Sequence, residues 1–241
     1  VTTEIFDYLF VALLLSIGAF IQSLVGFGLA IVVAPVLLII DSSHVPSTIT
    51  VVALYLGLIN AWQYRGHLSL GGLTWAFLGR VPGSILGGVV LTVFSLTVIE
   101  ITLALLVLFS VMISLSKVSV RPSNPNMLIA GFFSGLMGTT TSVGGPPMAL
   151  VLQNAKAHQL RANLAIYLTV SCLLSLCVLA YTGHFNVRHL QYGLFSLPFV
   201  LISTVIAYKV ADSINPAWMK KGVLVLCTLA AIGLLSHALS A

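Results

Sequence analysis

Charge is what this chain has least of. Of its 241 residues only 6% are Asp, Glu, Lys or Arg, against roughly a quarter in an ordinary soluble domain. Five are acidic and only Glu100 falls inside an apolar run, so a carboxylate cluster that would coordinate a cation is not expected. Cysteine is scarce too. Cys172, Cys177 and Cys227 lie in apolar stretches with no CxxC pair and no histidine at ligand spacing, and they read as small core residues. No metal or other cofactor is expected. The chain also lacks a P-loop, an HExxH pair and a GxSxG elbow, which argues against an ATP-driven pump and leaves an intramembrane hydrolase little to work with. It does not read as an enzyme.

What fills the sequence is apolar. Hydrophobic residues make up 59% and the mean hydropathy is +1.13, so lipid is the expected solvent. At about 20 apolar residues per spanning helix, the length suffices for about eight to ten crossings. No separate soluble domain fits. The net charge of +5 does not point to nucleic acid, because the ten Lys and Arg are scattered singly between apolar runs. The first run is preceded by Glu4 and Asp7 in place of a basic region, and it reads as a retained segment, not a cleavable leader.

Apolar runs between turn signals fall near 5–25, 27–40, 46–64, 70–93, 97–116, 126–139, 144–154, 159–181, 189–210 and 217–239. They form two sets of five, dividing the one membrane domain into repeats over 1–120 and 121–241. Gly66-His67-Leu68 matches Gly183-His184-Phe185, Pro35 falls opposite Pro147, and Gly18-Ala19-Phe20 resembles Gly131-Phe132-Phe133. If every run crosses, or if each opening pair is a re-entrant hairpin, then Arg65, Lys117, Arg121, Lys156, Arg161, Lys209, Lys220 and Lys221 share one side, with Arg188 on the other. Lys and Arg concentrate in short cytoplasmic loops. The expectation is therefore an all-α polytopic membrane protein of two inverted five-segment repeats, with both termini periplasmic and broken or re-entrant helices near 26–35 and 138–147. Inverted repeats of this kind are common in secondary transporters, whose halves meet at a midplane site.

The stretch least suited to lipid is Gly138-Thr139-Thr140-Thr141-Ser142-Val143-Gly144-Gly145-Pro146-Pro147. Its glycines and prolines break a helix, and the freed backbone groups need partners inside protein. A helix starting near Pro146 turns its N-terminus into that break, which is an anion site in kind. Thr139, Thr140, Thr141, Ser142, Gly144 and Gly145 are the candidate binding residues there. In the first half Gly26 and Gly28 allow close approach of the backbone. Small residues also serve tight helix contacts in membranes. Arg80, in the middle of the fourth run, is the remaining candidate: a central arginine marks a pathway or a counter-ion, and its fork matches oxyanions. A structural pair with Glu100 is the competing role.

Gly26-Phe27-Gly28 with Ala34-Pro35, Gly138 through Pro147 with Met148, and Arg161-Ala162 together resemble the TauE/SafE sulfite-exporter family, over nearly the whole chain. The first motif has Phe27 and then Leu29-Ala30 where many members are richer in glycine. The resemblance implies a multi-pass transporter that moves sulfite, an organosulfonate or a related sulfur-containing anion across the bacterial inner membrane. An anion channel, or a carrier of another small organic anion, is the alternative. The partners implied are the small anion and the lipid bilayer, with no nucleic acid; a homodimer is open.

Overall fold

The computed structural model describes residues 2–69, 71–115, 120–211, 213 and 216–240. Lys117 lies outside the described residues, as do the side chains of Lys220, Lys221 and Cys227. The described residues form helices and no strand: α1 (Thr2–Val25), α2 (Leu29–Ile40), α3 (Ser47–Gln63), α4 (Leu73–Val93), α5 (Leu96–Leu115), α6 (Asn124–Thr141), α7 (Gly145–Leu152), α8 (Ala157–Tyr181), α9 (Val187–Val210) and α10 (Pro216–Ser240). Every apolar run of the sequence has become one of these helices. Their ends fall where the chain can cap or must stop. Ser123 accepts a bond from the Asn126 amide at the start of α6, and Asn186 with His189 forms a capping box on α9.

Four helices among the described residues are long and apolar enough to cross a membrane: Glu4–Val25, Leu73–Val93, Ala157–Tyr181 and Val187–Val210. The surface is apolar and the interior polar, as lipid requires. Phe109, Ile202, Val205 and Leu229 stand exposed, while Gln22, Asn60, Arg80, Ser134, Thr139, Ser175 and Thr204 are buried. This is a multi-pass membrane protein.

The helices pack in cross-linked pairs. α4 lies along α6 and α1 along α9, while α3 meets α8 and α5 meets α10. The tightest seam is α4 against α6. A Cβ at Gly79 would sit 2.0 Å from the Leu128 carbonyl oxygen, one at Gly83 2.1 Å from that of Phe132, and one at Gly131 2.0 Å from that of Ala76. Only glycine at every fourth position lets two backbones approach so closely, the usual solution for helix contacts in lipid.

Charge separates the two ends of the bundle. At one, the Ser69 amide donates to Asn163 at 3.0 Å, Tyr208 donates to Asn60 at 2.7 Å, and Arg161 lies beside Tyr64. Arg65 and Lys156 belong to this basic end. At the other, Ser47 donates to the His184 carbonyl at 2.7 Å and His189 meets the Ser43 carbonyl at 2.9 Å. Asp41 and Arg188 stand there too, and His237 approaches Glu100 at 3.7 Å. Among the described residues Arg188 thus sits apart from Arg65, Lys156 and Arg161.

Two of the repeat matches do not hold in register. Gly66-His67 and Gly183-His184 do follow α3 and α8 respectively. Pro35, however, stands within α2 while Pro147 lies in the first turn of α7. Gly18 packs on Leu29 and Val33 of α2, whereas Gly131 packs on Ala76 of α4.

Candidate functional site

Both expected breaks are present. In the first, Gly26 and Gly28 have φ of 97° and 133°, conformations that strain any residue with a Cβ. Gln22 bridges the interruption: its backbone carbonyl accepts from the Gly26 amide at 2.7 Å, and its side-chain oxygen accepts from the Leu29 amide at 3.3 Å. One residue therefore satisfies the end of α1 and the start of α2.

In the second break Ser142 is left-handed, with φ of 63°. Its hydroxyl donates to the Pro46 carbonyl at 2.7 Å and lies 3.0 Å from Thr50 Oγ1, contacts that hold an uncommon backbone state in place. The preceding threonines are occupied. Thr140 and Thr141 donate back to carbonyls of their own helix, at 2.8 Å and 2.7 Å, and Thr139 Oγ1 meets Ser175 Oγ at 2.9 Å. The α7 start offers fewer amides than its position promises. Pro146 and Pro147 carry none, and the Gly144 amide is bonded to the Ser142 carbonyl at 3.1 Å. That leaves the Gly145 amide as the donor at this helix start.

The breaks are staggered, and they meet side by side. Gly26 neighbours Arg161 and Leu164 toward the basic end, while Ser142 reaches Pro46 and Thr50 toward the other. Between them a Cβ on Gly145 would stand 2.8 Å from Phe27 Cβ. Beside this contact is a cavity of about 30 Å³ lined by Gln22, Gly28, Ser142, Gly145, Leu168 and Cys172, among others. It has room for one or two waters. A polar crevice lined by Gln22, Ser23, Gly26, Asn60, Tyr64 and Arg161 runs toward the basic end, so Gln22 borders both spaces.

Arg80 is 2% exposed and does not pair with Glu100. The reason is depth: Glu100 sits at the acidic end beside His237, far along the bundle from the breaks. Instead the guanidinium forks between helices. One terminal nitrogen donates to the Ser134 carbonyl and, at 2.9 Å, to the Ser134 hydroxyl; the other donates to Ser175 Oγ at 2.8 Å and to the Ser171 carbonyl at 3.3 Å. Gly138 and Gly144 make room for it, since a Cβ on either would lie within 2.8 Å of a guanidinium nitrogen. The Ser134 hydroxyl in turn donates to the Gly144 carbonyl. Arg80 thus ties α4, α6, the second break and α8 together.

Sequence reasoning anticipated both breaks and an arginine in the interior at Arg80. It missed Ser134, Ser171 and Ser175, single serines in apolar runs whose positions carry no local signal. It also missed the α4–α6 glycine seam, which the spacing of Gly79, Gly83 and Gly87 did announce.

An apolar exterior, a polar interior and two interrupted helices meeting inside are the build of a polytopic membrane transporter. The chain belongs to the sulfite exporter TauE/SafE family, whose model matches residues 9–234. It is 24% identical to the probable sulfite/organosulfonate exporter TauE of Cupriavidus necator (strain H16), over 86% of each chain. The family is one of membrane exporters, not of enzymes. No solved structure matches the chain.

Proposed function

We propose that this protein is a secondary transporter of the bacterial inner membrane that moves sulfite, an organosulfonate or a related sulfur-containing anion by alternating access. The observation that carries the reading is the meeting of the two breaks, Gly145 against Phe27, beside a buried cavity with both motifs in its wall. Gly28, Ser142 and Gly145 line that cavity and are the residues we assign to contact the anion. Arg80 supplies positive charge from behind Gly144. Gly26, Gly144, Thr139, Thr140 and Thr141 set the shape of the two breaks around it. An anion held by amides, hydroxyls and one shared cation avoids the cost of an uncompensated buried ion.

The halves over 1–120 and 121–241 act as inverted repeats in this scheme. Its support is the exchange symmetry of the packing: α4 on α6 is answered by α1 on α9, and α1 with α2 by α6 with α7. The basic end is assigned to the cytoplasm by the excess of Lys and Arg there, which puts both termini in the periplasm. At about 30 Å³ the cavity is too small for the cargo, so this conformation is a closed one. Reconstituted vesicles test the reading: labelled sulfite or a labelled sulfonate should accumulate above protein-free vesicles under an ion or substrate gradient. Absence of uptake of both, in either gradient, refutes it.

A further inference from the structure

The charge state of the cargo follows from how the interior is charged. Arg80 is fully buried, and no carboxylate lies within ion-pairing distance of it among the described residues. The helices that surround it add no second cation. On α6 and α7 its neighbours are Ser134, Gly138 and Gly144; on α8 they are Ser171 and Ser175. The titratable group that senses it is the Cys172 thiol of α8. Arg161, the next cation, packs against Gly26 in the crevice at the basic end and is not part of the cavity wall. The cavity where the breaks meet is itself lined by no charged residue among those described, and Arg80, behind Gly144, is the fixed positive charge at its back.

Several donors around that charge have no partner. Arg80 Nε, Ser84 Oγ, Ser171 Oγ and Tyr167 Oη are all buried and make no hydrogen bond. Arg80 with Ser84, and Tyr167 with Ser171, are each four residues apart on one helix face, and α4 packs on α8 through the stacked rings of Phe77 and Tyr167, 5.4 Å between centroids. Tyr167 and Ser171 each adjoin in sequence a residue of the cavity wall, Leu168 and Cys172, and buried polar groups left unpaired are costly, so the site favours a guest that accepts hydrogen bonds and carries negative charge.

Resting on the transport reading above, we propose that the site accepts a monoanion, so that sulfite is carried as bisulfite and dianions such as sulfate are refused. A single negative charge neutralises Arg80; a second would stand uncompensated in the membrane interior, where unpaired charge is most expensive. The proposal also explains how one site would take both sulfite and an organosulfonate. A sulfonate head is a monoanion of three oxygens on sulfur, and sulfite shares that charge only while it keeps its second proton, which it loses near neutrality.

The test is paired flux in vesicles reconstituted with the full chain. Labelled sulfite and labelled methanesulfonate are followed across external pH from about 6 to 8.5, with labelled sulfate alongside and protein-free vesicles subtracting the leak of dissolved sulfur dioxide. The ratio of sulfite to sulfonate flux cancels any titration of the protein itself. It should fall with the bisulfite fraction, approaching about tenfold per pH unit on the alkaline side, and sulfate should not move. A ratio that stays flat or rises with pH, or sulfate flux matching that of sulfonate, overturns the monoanion proposal and leaves transport standing. Absence of both sulfite and sulfonate flux overturns the transport reading and this inference with it.

Discussion

Replacing Gly83 by alanine should force α4 and α6 apart. The added Cβ would lie 2.1 Å from the Phe132 carbonyl oxygen and 2.9 Å from its carbon, whereas ordinary contact begins at 3.4 Å. The backbones must therefore separate locally by about 1.3 Å, the difference of those two distances (3.4 − 2.1). Backbone cannot rotate out of the way as a side chain can, so the cost belongs at or above the upper end of the about 1–3 kcal/mol typical of an inserted methylene. The same shift carries Ser134 away from Arg80. Thermal unfolding of the purified protein in detergent, compared with two other glycines, isolates the effect. Gly88→Ala meets the Val178 methyl at 2.5 Å, which can turn aside, and Gly233→Ala meets nothing within 4 Å. The expected order of destabilisation is Gly83, then Gly88, then Gly233 with little or none. A Gly83→Ala protein that melts with Gly233→Ala would refute the idea that α4 and α6 are held at glycine distance.

Arg80→Lys should lose flux almost as fully as Arg80→Gln, by about a hundredfold or more, because an ammonium cannot fork between Ser134 and Ser175; vesicle flux at matched protein checks this. Gln22→Ala removes the acceptor of the Leu29 amide and should cost about 1 kcal/mol in thermal or chemical unfolding. Ser142→Val places a β-branched residue at φ 63° and removes the bond to Pro46, so it should destabilise more than Ser142→Gly, which relieves the backbone as it loses the bond. Burial, joined by the positive charge of His189 and Arg188, holds the His44 ring below its ordinary pKa of 6.5 against the pull of Asp41 and Asp7. Its folded pKa being the lower one, the stability it contributes is intact above about 6.5 and is lost as pH falls below that. Melting temperature against pH should show this loss, reduced in His44→Gln.

The helices were legible because glycine, proline and loop charge punctuate a sequence that is otherwise uniformly apolar. Gly26, Gly28 and the run from Gly138 to Pro147 announced the breaks, since no continuous helix tolerates them. Local sequence could not supply depth. Arg80 and Glu100 looked like partners by proximity in the chain, and only the packed bundle separates them, one beside the breaks and the other at an end with His237. The threonines had the same ambiguity: hydroxyls that suit an anion also suit the i−4 carbonyl of their own helix, and Thr140 and Thr141 are bonded that way. Ser134 and Ser175 were invisible because a lone serine in an apolar run is common, and what distinguishes these two is a guanidinium arriving from another helix.

Gln22 stands in the walls of both the crevice and the cavity while its side-chain oxygen secures the first amide of α2. A path between the two spaces that passes Gln22 has to swing that side chain aside. Doing so leaves the Leu29 amide bare in a dry interior, unless the incoming anion takes it over. On the transport reading proposed above, that hydrogen bond latches the doorway, and an oxyanion able to accept from Leu29 in place of Gln22 would release it.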